Sequence, residues 1–392
     1  MSRFTRVGLG TVTALTMAVS TFPQVVFGVL AVDLIGTFGV GRWQIGSLVS
    51  ATGLMGALLA PWLGRLTDRL GSLQSTRAVL ILASISFLLI AVSPSYVLLV
   101  AATLISGAPQ GWCNPATNTL IADEVARGDR GIVTGVKQSG VQAGTFLGGL
   151  LLPLIASALD WRAAVAVFIV MPLAGVLGTL GKEPHPRPHR SGGHGTLKLP
   201  PLIRLISIYG LLAGIGTSAM LTFLPLFAAE GQGWSAVHAG WLLAGVGLTG
   251  VAARIVWGRI AESRLGYGRA LEVLALLTVV SATLLALMAA DLIPSTMLPL
   301  AAVLLGAGGV SWNSVGMLAV MERAPSHLIG RGTGVVLFGF LLGYGLGAPL
   351  FGLAVDRLGT YVPGWIGVSV GLSVAFGVAT MITRLEPAPS RA

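Results

Sequence analysis

The stretch Gly-Val-Lys-Gln-Ser-Gly at 135–140 sets an ammonium, Lys137, and an amide, Gln138, between long apolar runs. Lys137 follows Arg130 by seven residues, so on a helix starting there it lies about 10 Å in. Carrying a charge that far from water is costly, and such a group marks an ion or substrate path. The chemistry open to it is attraction of an anion or a share in a proton-coupled pair. The structural alternative is a stem that reaches back to the headgroups. Asn114 and Asn313 also stand in apolar runs, beside Trp112 and Trp312, and Tyr344 lies further along. Amides and rings together bind small organic solutes; the same residues also serve interhelical hydrogen bonds and packing. Arg254, in VAARIVWGR, is placed to attract an anion in a vestibule or to meet a headgroup. Asp33, counted from Val7, falls about 39 Å along a straight helix, at its far end. No carboxylate falls in the middle of an apolar run.

The elements that position these groups follow from composition. Of 392 residues, 54% are hydrophobic and 10% charged, against about 25% charged in soluble domains. The apolar residues fall into runs of roughly 20, the length that crosses a bilayer. Helices are expected near 8–34, 43–63, 76–95, 97–122, 132–157, 163–181, 203–229, 236–257, 270–290, 293–321, 332–355 and 362–383. The chain therefore reads as an all-α polytopic membrane protein with twelve transmembrane helices. The basic, apolar start is read as a retained first helix, because no small-residue cleavage site follows it. The longest polar stretch, at 182–202, divides an N-terminal bundle (1–181) from a C-terminal one (203–392). Its prolines, glycines and three histidines suit a solvated cytoplasmic linker.

Twenty of the 24 lysines and arginines fall on the side of the N-terminus, three on the other, and Lys137 within a helix. That bias puts both termini in the cytoplasm. Basic loops beside anionic lipids also account for the net charge of +10 without any nucleic acid. A phosphate-cradling loop, HExxH and cysteine clusters are all missing from the sequence, with Cys113 the single cysteine. The expectation is a non-enzyme without cofactor or metal.

The two halves repeat. A shift of 194 aligns Gly64, Arg65 and Asp68 of GRLTDRLG with Gly258, Arg259 and Glu262 of GRIAESRLG. A shift of 199 aligns Asn114 with Asn313, Thr134-Gly135-Val136 with Thr333-Gly334-Val335, and Gly140, Gly144 and Gly148 with Gly339, Gly343 and Gly347. Glycines four apart share one helix face and let helix backbones approach closely, as static packing or as an interface that slides.

A duplicated six-helix unit with these loops resembles the major facilitator superfamily over nearly the whole chain. Gly64, Asp68, Arg69 and Gly71 match that family's motif between helices 2 and 3; Gly258, Arg259, Glu262 and Gly266 form a weaker copy. Asp160-Trp161-Arg162 and Asp356-Arg357-Leu358-Gly359 are similar to its turns before helix 6 and after helix 11. The basic residues usual after Gly71 are replaced by Ser72-Leu73-Gln74, and the helix 5 drug-antiporter signature is incomplete. The resemblance implies two pseudo-symmetric bundles working by alternating access as a secondary transporter in the cytoplasmic membrane, as a monomer among membrane lipids.

On that reading a small-molecule substrate meets Lys137, Gln138, Asn114, Asn313, Trp312, Tyr344 and Arg254. The cations without a mid-helix acid lean to an organic anion such as a carboxylate, coupled to protons or another ion. Export of drugs by proton antiport, and a non-transporting receptor or scaffold, are the alternatives; the short tails argue against the last. Asp68 and Arg69 are expected to latch the cytoplasmic side, Asp68 on a basic group or helix N-terminus of the other bundle near helix 11, with Arg331 one candidate, and Arg69 on Asp123 or Glu124.

Overall fold

The computed structural model describes residues 5–126, 129–182, 200–261, 265–323 and 329–385, with the side chains of residues 6, 131, 132 and 329–331 also outside the description. The described elements are helical throughout. Hydrocarbon offers no water to backbone N–H and C=O groups, so a spanning segment must satisfy them within itself. The first half comprises α1 (Arg6–Val29), α2 (Ala31–Phe38), α3 (Arg42–Leu70), α4 (Ser72–Ala91), α5 (Tyr96–Glu124), α6 (Arg130–Ala158), α7 (Trp161–Val167) and α8 (Val170–Thr179). The second comprises α9 (Pro201–Leu226) with a π-helical extension at Phe227–Gly231, α10 (Ala236–Ile260), α11 (Tyr267–Ala289), α12 (Leu298–Ala307), α13 (Trp312–Arg323), α14 (Ile329–Leu358) and α15 (Val362–Leu385). Among the described residues twelve spans are long and apolar enough to cross a membrane.

Several boundaries differ from the sequence reading. The run expected at 8–34 is broken at Leu30, and α2 carries Asp33 in its first turn, where a carboxylate favours the helix dipole. Asp33 is half-buried, and that burial pushes its carboxyl above the ordinary range. The span expected at 163–181 is α7 and α8 in succession, and that at 293–321 is interrupted between α12 and α13. GRLTDRLG is not a loop: α3 runs to Leu70 and only Gly71 leaves the helix. Gly71 has φ 84° and ψ 160°; Gly266, closing the second copy, has φ 76° and ψ 164°. Side chains essentially exclude that conformation, so the repeat preserves one glycine-only turn before α4 and again before α11.

By contact the chain forms two compact units, residues 1–40 with 51–195 and residues 41–50 with 196–392. The opening turns of α3, assigned from sequence to the first bundle, thus belong to the second unit. In the first unit the glycine ladder of α6 lies on α1. A Cβ at Gly140 would strike the Ala14 carbonyl, one at Gly144 would lie 3.3 Å from Ala18, and one at Gly148 would lie 2.7 Å from Val25. In the second unit α14 lies on α9 in the same way: a Cβ at Gly339 would lie 2.6 Å from the Ser207 carbonyl, while Gly343 and Gly347 face the carbonyls of Leu211 and Ile215. Each ladder therefore joins the first and fifth spans of its own half.

Candidate functional site

Gln110, Asn114 and Asn118 recur every four residues, which sets three amides along one face of α5. Neighbouring helices engage all three. Gln24 of α1 donates to Gln110 Oε1 at 3.1 Å. Lys137 of α6 donates from Nζ to Asn114 Oδ1 at 3.0 Å and to Asn118 Oδ1 at 2.6 Å. Lys137 is fully buried, and the titratable group set against it is the Cys113 thiol. Among the described residues no carboxylate pairs with it. Two amide dipoles solvate the ammonium without neutralising it, and its third N–H is left to donate to something else. Gln142, 3% exposed and five residues on from Lys137, has an Oε1 without a partner among the described residues. Gln138 is half-buried on the same helix and does have a partner. The first unit thus brings Lys137 and Asn114, two of the candidate residues, together. Asn118 and Gln110 were missed, although the four-residue spacing in QGWCNPATN carries them; Gln24, on α1, was missed because no local pattern marks it.

The remaining expected substrate residues lie in the second unit. Trp312 is 2% exposed, between Tyr209 (ring centroids 5.7 Å apart) and Phe340 (5.4 Å), and Phe340 meets Tyr344 at 5.5 Å. Trp312 belongs to that unit's hydrophobic core, and Tyr344 is buried at the end of the same aromatic chain. Asn313 next to it has a buried Oδ1 without a partner among the described residues. Arg254 donates from Nε and Nη2 to the Val310 carbonyl at 3.2 and 3.0 Å, and Trp257, one turn on, donates to the Ala307 carbonyl at 3.0 Å. These carbonyls stand where the α12–α13 break removes their helical donors. Arg254 here caps a broken helix. Arg254→Gln is expected to cost about 1–3 kcal/mol through loss of a charge-assisted bond to a buried carbonyl, read as a lower thermal midpoint in detergent.

At the expected latch, Asp68 and Arg69 are exposed on the last turn of α3. Asp123 accepts from the Ser72 hydroxyl at 2.5 Å; the contact of Arg69 with Asp123 or Glu124 is not made in this structure. Glu124 and Arg259 both have other partners. Glu262 and the Arg331 side chain lie outside the described residues. Gly64 has open space where its Cβ would stand, and Gly258 meets only Leu318 at 3.7 Å, so packing explains neither glycine.

A polar cluster of the second unit went unread in the sequence. Arg42 donates to Glu230 Oε2 at 2.7 and 3.0 Å, to the Tyr361 hydroxyl at 3.2 Å and to Asp356 Oδ1 at 3.3 Å. Tyr361 donates to Glu230 at 2.8 Å, and the Trp43 N–H donates to Asp356 at 2.8 Å. Burial, with Glu230 beside it, pushes the Tyr361 phenol above its ordinary range, so it stays a donor. The cluster fastens the start of α3 to the ends of α9 and α14.

Comparison with known proteins places this architecture. The family model of the Major Facilitator Superfamily matches residues 12–347. An uncharacterized MFS-type transporter of Mycobacterium tuberculosis is 25% identical over 266 residues, 67% of this chain and 59% of the relative. The class B tetracycline resistance protein of Escherichia coli is 29% identical over 234 residues, 56% of this chain and 57% of the relative. The chain thus spans under two thirds of the length of these relatives. In fold it is similar to a bacterial homologue of the human lysosomal transporter Spinster, in an inward-facing and occupied conformation, with TM-score 0.76, 16% identity and 98% of both chains covered. The nucleoside transporter NupG gives TM-score 0.79 at 14% identity, covering 96% of this chain and 99% of that one. Twelve apolar spans, a duplicated half with one glycine turn in each copy, and a family match over most of the sequence lead to one conclusion: the chain is a multi-pass membrane protein that belongs to the major facilitator superfamily of transporters.

Proposed function

We propose that this chain carries a small organic anion, such as a carboxylate, across the cytoplasmic membrane by alternating access, with uphill movement driven by an ion gradient as in symport. The observation that carries this reading is Lys137: a fully buried ammonium held by two neutral amide oxygens, with no carboxylate opposite it among the described residues. An uncompensated charge in a membrane interior is expensive, and an anionic substrate supplies the missing countercharge. The asymmetry of the repeat supports a site-specific role, since the 199-residue shift keeps the asparagine (Asn114, Asn313) but replaces Lys137 by Val336. The basic bias toward the side of the termini supports a cytoplasmic location for both. The test is flux into proteoliposomes of the purified chain, with a panel of radiolabelled carboxylates against a panel of cationic and neutral dyes. Saturable carboxylate flux without dye flux is the expected result.

A second reading, export of amphipathic drugs by proton antiport, is favoured by the 29% identity to a tetracycline resistance protein. Dye flux driven by a pH gradient, without carboxylate flux, selects it.

The cytoplasmic latch is part of the proposed cycle. Asp68 stands on an exposed helix end, where stability does not require it. Asp68→Asn is expected to leave folded yield unchanged and to slow transport about tenfold, measured as initial rates in the same liposomes; an unchanged rate removes the latch.

A further inference from the structure

The last four turns of α3 carry a stripe of which only Arg69 belongs to the expected latch. Leu58, Trp62, Arg65 and Arg69 succeed one another at four, three and four residues, so all lie on one helix face. The stripe grades from apolar to cationic toward the helix end. Leu58 is 75% exposed and Trp62 54% exposed, and both arginines are exposed. Trp62, Arg65, Leu66 and Arg69 line a hollow of about 240 Å³.

The two guanidiniums are unlike the other arginines described at this end of the unit. Arg77 donates to the Thr179 side chain at 3.1 Å and to the Lys182 carbonyl at 2.8 Å, and Arg130 donates to the Val125 and Ala122 carbonyls at 2.9 and 2.8 Å. Arg65 and Arg69 have no such partner among the described residues. One turn apart, they repel each other; Asp68, three residues after Arg65, is also its neighbour on the helix surface, but forms no ion pair with either arginine among the described residues. An anion between the two would relieve the repulsion, and paired guanidiniums suit the oxygens of a phosphate. The hollow is smaller than the roughly 300–1,000 Å³ usual for a whole small-molecule ligand. It suits a headgroup fragment, and the exposed Trp62 and Leu58 continue from it along the membrane-spanning part of the helix. Tryptophan is the residue that favours the headgroup level of a bilayer.

We propose that this stripe binds an anionic phospholipid, with its phosphate held between Arg65 and Arg69 and an acyl chain laid along Trp62 and Leu58. The test is titration of the purified full chain in neutral detergent with phosphatidylglycerol, read as lipid-bound species by native mass spectrometry. One tightly retained phosphatidylglycerol is expected. At roughly a fivefold loss for each arginine removed near a lipid surface, Arg65→Gln with Arg69→Gln should weaken it about thirtyfold. Arg269→Gln with Arg384→Gln removes two other exposed charges and should change it less than about threefold. Equal loss in both pairs, or none in the first, overturns the site. So does equal binding of phosphatidylcholine, which has the phosphate without net charge. Displacement of phosphatidylglycerol by inorganic phosphate overturns the lipid as occupant and leaves a free-anion site. If the double variant does not fold, Arg69→Gln and Trp62→Ala are titrated singly; each should weaken binding about fivefold, and unchanged binding in both overturns the proposal.

Discussion

Lys137→Met is expected to abolish flux of the transported anion, by about a hundredfold or more in initial rate, while the thermal midpoint stays level or rises. The two outcomes have one cause. Truncating a buried, hydrogen-bonded charge that meets an opposite charge costs about 2–5 kcal/mol of that interaction, which is roughly thirtyfold to several thousandfold in affinity or rate. For the folded chain the sign is reversed. The fully buried ammonium contacts two amide oxygens and no carboxylate among the described residues, so its desolvation, several kcal/mol even after relaxation, is only partly returned. Methionine fills a similar volume without that cost and leaves two amide oxygens short of a donor, a penalty of about 1–3 kcal/mol for each one that stays buried and unsatisfied. Asn118 is exposed, which keeps its share small. The checks are uptake in proteoliposomes and thermal unfolding in detergent. Near-normal uptake would show that the ammonium is structural, and a collapsed midpoint with no folded protein would show the same by another route. Lys137→Arg, which keeps the charge on a bulkier, planar head, is expected to retain part of the flux.

Gly343→Leu should be the most disruptive single change in the second unit. A Cβ there would collide with the Leu211 carbonyl and lie 3.1 Å from the Ile215 amide nitrogen. Both are backbone atoms of α9, so no rotamer change gives relief; the helices must separate, and the contacts of Gly339 and Gly347 on the same face are lost with it. A cost above about 3 kcal/mol follows from overpacking of this kind, enough to remove most folded protein when expressed chain is counted by size-exclusion chromatography. Gly334→Ala supplies the contrast. Nothing lies within 4 Å of its missing Cβ, and alanine is favoured over glycine in a helix by about 1 kcal/mol. It should fold as well as the parent chain or better. Equal behaviour of the two variants would mean that the ladder of α14 does not carry the contact with α9.

These cases show which parts of the molecule were legible in sequence. The spans were, because the requirement that each cross hydrocarbon as an internally bonded helix is written in apolar length alone. The ladders were, because a spacing of four puts glycines on one face whatever they meet. Their partners on α1 and α9 were not, since nothing in those helices except small or apolar character marks them. The reading of GRLTDRLG as a loop failed because charge signals exit from hydrocarbon, not exit from a helix; α3 continues through Asp68 and Arg69, and only the positive φ of Gly71 ends it. Asn114 was found through the repeat. Asn118, its equal in holding Lys137, stands opposite Met317 in the second half and so gave no echo. Arg254 was rightly singled out as a cation within an apolar run, but its partner, a carbonyl 56 residues away, exists only because α12 and α13 are separate helices. The cluster around Arg42 depends on separations of 188, 314 and 319 residues, beyond the reach of any local pattern.

The lone ammonium of the first unit has an electrical consequence. With no coupling ion aboard, a monoanion bound beside Lys137 makes the loaded site neutral, so its crossing does not respond to the membrane potential. The empty site crosses with one positive charge, and that step carries up to about 2.3 kcal/mol for each 100 mV. An inside-negative potential then draws the empty site inward and drives the anion outward. Export therefore needs no coupling ion, whereas uptake against the same potential requires more than one cation to travel with each monoanion before the potential helps it.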